Sequence, residues 1–181
     1  RGIHMYQQDI FIEQTVRRQE PKGARILAYI TIGITILNVF LSIITLGIFL
    51  IPTLLFALLA WWEIQNLRIE FDYNYTNGAI DIARVKGGRK RKILVSVHQE
   101  DIVVMAPTHS KPVMQYVGNG MKTFDCLSHD PSVRYYVMVV NNKEKNQEIK
   151  VLWEPNDEML DMLKRMDRYK IHTVEEYPEE L

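Results

Sequence analysis

The chain has 181 residues, with 22 Lys+Arg against 22 Asp+Glu, so it carries no global basic field of the kind that drives nucleic-acid binding. A single cysteine, Cys126, excludes an internal disulfide and fits a reducing compartment or the cytosolic side of a membrane. Arg1-Gly2-Ile3-His4 ahead of Met5 reads as a vector-derived leader, and the sequon Asn74-Tyr75-Thr76 falls inside a predicted strand, where it is a chance match.

Residues 1–25 make an N-terminal segment. Within it, residues 6–20 mix Ile10, Phe11, Ile12 and Val16 with polar side chains and end at Pro21. This composition predicts a short amphipathic helix lying on a membrane surface, with docking on the rest of the chain as the alternative.

From Ile26 to Trp62 there is no Asp, Glu, Lys or Arg. A bilayer core takes about 20 apolar helical residues, so the run suits two short spans over residues 26–44 and 48–64, broken at Thr45-Leu46-Gly47. Trp61 and Trp62 fall at the exit, where interfacial aromatic anchors belong. Arg17, Arg18, Lys22 and Arg25 flank the entry and Arg68 follows the exit, so the positive-inside rule puts both termini in the cytoplasm of a two-pass cell-membrane protein. Asn38, in mid-span, is read as an intramembrane polar contact: either a partner contact or an amide satisfied within the hairpin.

After Leu67 the pattern alternates. Ile69, Phe71, Tyr73 and Tyr75 mark a half-buried strand, Asn77-Gly78 a tight turn with φ > 0, and Ile80 and Ile82 a returning strand. Ile93, Val95 and Val97 continue a third strand and residues 102–107 a fourth. The fifth falls at residues 113–117 or 123–127, and residues 134–140 and 148–153 complete seven. Asn156 then caps a helix whose stripe of Met159, Leu163, Met166 and Tyr169 must cover one end of the strands.

Seven short antiparallel strands followed by one helix is the order of a pleckstrin-homology-like (PH-like) barrel. The segments "LLAWWEIQNLRIEF", "FDYNYTNGAIDIARV", "RKRKILVSVHQEDIVVMAP" and "YYVMVVNN…IKVLWEPNDEMLDMLKRM" make the chain similar to an uncharacterised bacterial family, from anaerobic Gram-positive bacteria, with two spans and a C-terminal PH-like domain. The resemblance implies a membrane α-helical hairpin (26–64) plus a cytoplasmic α+β domain (68–172): a PH-like seven-stranded antiparallel barrel capped by a C-terminal helix. Residues 173–181 are left as an acidic tail. It implies no catalytic residues.

The cluster Lys86, Arg89, Lys90, Arg91 and Lys92 lies in a turn. An out-and-back hairpin starting a few residues past the membrane exit returns this turn to headgroup level, which predicts contact with the lipid bilayer and its anionic headgroups; a merely solvated loop is the alternative. Without interleaved aromatics it is not a nucleic-acid site. Cys126 and His129 are the one candidate nucleophile–base pair, but no oxyanion-forming turn precedes the thiol. His98, His109, His129 and His172 lack zinc-ligand spacing, and no phosphate-binding glycine motif occurs, so no metal or cofactor is expected. The expected role is a non-enzymatic membrane-anchored adaptor or binding module for a protein partner, the lipid surface or a second copy. The alternatives are an accessory subunit of a larger membrane complex and an enzyme using Cys126 and His129.

Overall fold

The computed structural model describes residues 10–118, 120–143 and 147–177. Its first element is a strand, β1 (Phe11–Arg17), where the sequence predicts an amphipathic helix. β1 lies antiparallel to β2 (Ile69–Thr76) in unbroken register from Phe11↔Thr76 to Arg17↔Glu70. Ile12 and Val16 enter the core, and half-buried Gln14 takes the position between them. Gln14 masks the period of two because it is polar at an inward position: its Nε2 donates to the Glu154 carbonyl at 2.8 Å and its Oε1 accepts from the Asn156 N–H at 2.7 Å. Residues 6–9 of the expected helix lie outside the described residues.

Between these two paired strands the chain forms two helices, α1 (Lys22–Ile44) and α2 (Leu50–Leu67), each long and apolar enough to cross a membrane. They reverse at the expected place, with Leu46 at φ +53° and Gly47 at φ +98°. The hydroxyls of Thr31, Thr35, Thr45 and Thr53 each donate to the carbonyl four residues back, so these polar groups need no water. Ser42 and Thr53 link the helices through hydroxyls 3.2 Å apart. Ile43 (72% exposed), Ile48 (77%) and many neighbours are uncovered by the chain itself, unlike the apolar face of a core helix.

The rest is an α+β domain. β3 (Ala79–Lys86), β4 (Lys90–His98), β5 (Ile102–Pro107), the one-turn helix α3 (Lys111–Met114), β6 (Lys122–Asp125), β7 (Tyr136–Asn142), β8 (Gln147–Trp153) and helix α4 (Asp157–Met166) follow in order. The strands make two four-stranded sheets, β1-β2-β3-β4 and β5-β7-β8-β6, with β6 parallel to β8. This corrects the expected closed seven-stranded antiparallel barrel: the described residues form eight strands, and among them no ladder joins β4 to the second sheet. The reason lies in the turn Gln99–Asp101, which sends β5 to pair with β7. Gln99 holds that turn from inside, its N–H on the Gly78 carbonyl (2.7 Å), its Oε1 accepting from the Tyr75 hydroxyl (2.9 Å) and its Nε2 donating to the Leu163 carbonyl (3.3 Å).

Phe71, Tyr73, Ile80, Ile82, Met105, Met138, Val151 and Trp153 fill the space between the sheets. Asn156 caps α4 through Oδ1, which accepts from the Met159 N–H at 2.9 Å. Met159 and Leu163 are buried as the stripe requires, but α4 stops at Met166, so Met166 and Tyr169 (93% exposed) turn outward. Ile171 enters the core instead, where the chain runs beside β5 through Met105 N–H to Lys170 O and His172 N–H to Met105 O, both 2.8 Å. Of the two candidate fifth strands, the one near residues 123–127 exists as β6, and residues 113–117 begin within α3.

Candidate interface at the base of the apolar hairpin

Both ends of the apolar hairpin enter the same end of the first sheet. The N–H of Arg18, one residue past β1, donates to the carbonyl of Ile69, the first residue of β2, at 2.9 Å. β2 then runs outward for eight residues, about 26 Å at 3.3 Å per residue, to the turn Asn77-Gly78 (φ +47° and +90°). β3 returns in register over the same length, with Ile69 opposite Lys86. The basic turn is thereby brought back to the end of α2.

Two glycines let it sit there. Gly87 (φ +58°) donates its N–H to the Arg68 carbonyl at 2.8 Å, and a Cβ on it would collide with the Gln65 Oε1. Half-buried Lys86 places its Nζ 3.5 Å from Asn66 Oδ1. Arg89 and Lys90 project into solvent beside this seat. Arg91 leans over the outer face of the sheet to Asp72, 3.8 Å away, and Lys92 faces a groove on the other side of β4. The five cations are therefore not gathered at one place: Lys86, Arg89 and Lys90 are at the hairpin base, whereas Arg91 and Lys92 lie farther along β4 on its two faces.

The base also has a cleft of about 520 Å³, lined by Arg18, Leu27, Trp62, Glu63, Leu67 and Lys86 among others. Trp61 and Trp62 are both exposed on the last turns of α2. Oε2 of Glu63 is shut off from solvent and has no hydrogen-bond partner among the described residues. Around the entry, Glu20 pairs with Arg17 (3.7 Å) and Arg25 (3.0 Å). Arg18 is more than a flanking charge. It bonds Asp125 Oδ2 (2.9 Å) and the carbonyls of Asp125 (3.1 Å) and Leu127 (3.2 Å), and its guanidinium lies 5.0 Å over the Phe71 ring. No sequence pattern marks these bonds of Arg18 or those of Gln14, because their partners come from segments far away in the chain.

Asn38 is half-buried and forms no hydrogen bond with the described residues; the interhelical bond expected of it is made by Ser42 and Thr53. Cys126 is wholly buried, and burial, with the Asp125 carboxylate adding to it, pushes its thiol up to about 12. A thiolate is then scarce at neutral pH. His129 turns to Asp125 instead, its Nε2 3.0 Å from Oδ2. The Cys126 carbonyl accepts from the Tyr73 hydroxyl at 2.6 Å, a core bond. No cluster of metal-ligating side chains occurs among the described residues. The acidic tail begins folded: Glu176 takes Lys164 at 2.7 Å and His172 at 2.9 Å, while residues 178–181 lie outside the described residues.

A family model described as a bacterial PH-like domain matches residues 8–173, which takes in β1, the apolar hairpin and both sheets. No curated protein and no solved structure matches the chain.

Proposed function

Because the chain belongs to the bacterial PH-like domain family DUF6106, we propose that it is a non-enzymatic, membrane-anchored adaptor whose PH-like domain is held against the cytoplasmic face of its own membrane. α1 and α2 cross the bilayer as a hairpin and the domain is presented to a protein partner. The observation that carries this reading is the insertion of the apolar hairpin between two strands paired in register, β1 and β2. That arrangement keeps both hairpin ends on one side of any membrane the helices enter, independently of charge counting. It also disfavours a cleaved signal sequence, because cleavage would remove a strand of the sheet. Lys86, Arg89 and Lys90 then lie at headgroup level beside Trp61 and Trp62, and each cation near an anionic leaflet contributes about 1 kcal/mol.

A second reading, an accessory subunit of a larger membrane complex, is favoured by Asn38, whose half-buried amide is available to a neighbouring span. Thiol labelling of intact cells tests the anchor. Buried Cys126 gives little background, so a membrane-impermeant reagent is expected to mark a cysteine placed at Leu46 and to spare one placed at Asn77. Labelling at Asn77, or at neither site before permeabilisation, would remove the two-pass topology.

A further inference from the structure

The sheets part where β4 and β6 face each other. Among the described residues β4 is bonded only to β3 and β6 only to β8, so each ends its sheet there with one row of backbone N–H and C=O groups that no described strand pairs. Between them runs a groove of about 430 Å³, lined by Lys92, Leu94 and Val97 on one wall and Lys122, Phe124 and Ile149 on the other. Its size is in the range of ligand clefts, roughly 300–1,000 Å³. The β4 edge has two parts. Lys90, Arg91 and Lys92 are charged, the usual protection of an edge, but Ile93-Leu94-Val95-Ser96-Val97 carries no charge and Ile93 is 60% exposed. The stretch is not flat, because Ala83 faces Ile93 and Ile82 faces Val95, which leaves Leu94 as a bulge on the groove, but the uncharged residues on either side of it still offer free backbone groups to another strand.

Charge selects which strand. Lys92 and Lys122 stand on opposite walls, and the Lys122 ammonium lies 4.9 Å over the Phe124 ring. A second copy pairing edge to edge through β4 would bring three further cations, Lys90–Lys92, and no carboxylate to a groove that already holds Lys92 and Lys122, and added like charge opposes pairing. An acidic strand meets no such repulsion. We propose that this open seam binds an extended acidic segment of a partner protein, which adds as a strand to the free edge of β4 and closes the gap between the sheets. Main-chain bonds to β4 supply the affinity, and the side chains on the one face of the added strand that enters the groove set the choice, carboxylates meeting Lys92 and Lys122 beside Leu94 and Phe124. This names the partner chemistry for the binding module proposed above and rests on that reading.

The test uses the full chain in lipid nanodiscs. The probes are a capped Glu-Val-Glu-Val-Glu-Val-Glu peptide, its Lys-Val counterpart and the acidic peptide N-methylated along its backbone. The acidic peptide is expected to bind roughly tenfold more tightly than either control and to slow hydrogen exchange at the amides of β4. In the variant Lys92→Glu/Lys122→Glu the order of the acidic and basic peptides should reverse. Lys92→Gln/Lys122→Gln, which is milder for the fold, should abolish the preference. Equal binding of acidic and basic peptides, protection away from β4, a preference unchanged in the Gln variant, or β4 amides already protected by self-association in the absence of peptide would each overturn the proposal. Retention of the chain in nanodiscs is read in the same samples. A chain that stays in the bilayer but ignores the acidic peptide loses this inference alone; one that leaves the bilayer loses the membrane reading.

Discussion

The apolar hairpin and the sheet domain are built from similar residues and treat them in opposite ways. In the hairpin, Ile43, Ile48 and Phe40 face outward, and the hydroxyls of Thr31, Thr35, Ser42, Thr45 and Thr53 bond to their own helix or to each other. In the domain, Phe71, Ile80, Ile82 and Trp153 are shut away, and outward positions such as Glu13, Arg17, Lys90 and Arg91 are charged. The difference teaches that hydrophobicity alone does not say where a residue ends. Periodicity does: a run without charges has no inside and needs an apolar solvent, whereas alternation every second residue defines a face to bury. The two regions meet at Arg18–Ile69 and Gly87–Arg68, and those backbone bonds make the hairpin an insertion in a sheet rather than an anchor placed ahead of a domain.

The largest effect expected from this comparison separates the two regions outright. Replacing residues 21–67 with a short Gly/Ser linker should leave a water-soluble domain that melts cooperatively, because its ends are already hydrogen-bonded neighbours. Deleting residues 10–19 instead should abolish the cooperative transition, since it removes Ile12, Val16, the Gln14 links to Glu154 and Asn156, and Arg18. Circular dichroism melting of both chains decides it; a domain that melts normally without residues 10–19 would make β1 dispensable.

Next in size is a pair of leucine substitutions in the full chain. Leu163 is wholly buried, and Leu163→Ala should cost about 2–5 kcal/mol, lowering the domain's Tm by roughly 10 °C or more. Leu55 on α2 is exposed, and Leu55→Ala should leave the same transition where it was. Equal shifts would mean that the hairpin and the domain unfold as one unit.

A smaller effect belongs to the base. Arg89→Gln/Lys90→Gln removes two cations at the proposed headgroup level, and by about 1 kcal/mol each it should weaken the domain's contact with an anionic bilayer. Energy transfer between a dye near position 88 and labelled headgroups should fall in the variant, fall in wild type at about 1 M salt, and stay low on neutral lipid. Transfer that ignores both salt and lipid charge would leave the turn as a solvated loop.

The smallest concerns Glu154. Burial raises its carboxyl above the ordinary range, against the lowering by the Ser128 hydroxyl and N–H at 2.9 and 3.1 Å. A carboxyl raised in the folded state contributes stability below its unfolded value, about 4.3, and loses it as pH rises through the folded value. Glu154→Gln keeps the acceptor and removes the charge, so it should melt above wild type at pH 7, with the gap closing toward pH 4. A gap that widens on acidification would reverse the assigned sign.

What the sequence determined by itself was whatever a local pattern could carry. The uncharged stretch located two helices and their turn, alternation located the strands from Ile69 to Trp153, Asn77-Gly78 and Asn156 marked a turn and a cap, and the repeat distance of a strand brought the basic turn back toward α2. Only the tertiary structure decided what depended on distant partners. Gln14 is polar at an inward position of β1, and only its bonds to Glu154 and Asn156 show why the segment is a strand and not the amphipathic helix its composition predicts. Nothing in the local pattern marks Gln99, yet its bonds to Gly78, Tyr75 and Leu163 direct β5 to the second sheet and leave the seam open at β4. Arg91 lies 3.8 Å from Asp72 on the outer face of the sheet, a contact that no local pattern announces. Periodicity records which face of an element is apolar, but a polar side chain carries no mark of the group it will meet, and in this chain those meetings set the sheet order and the shape of the site.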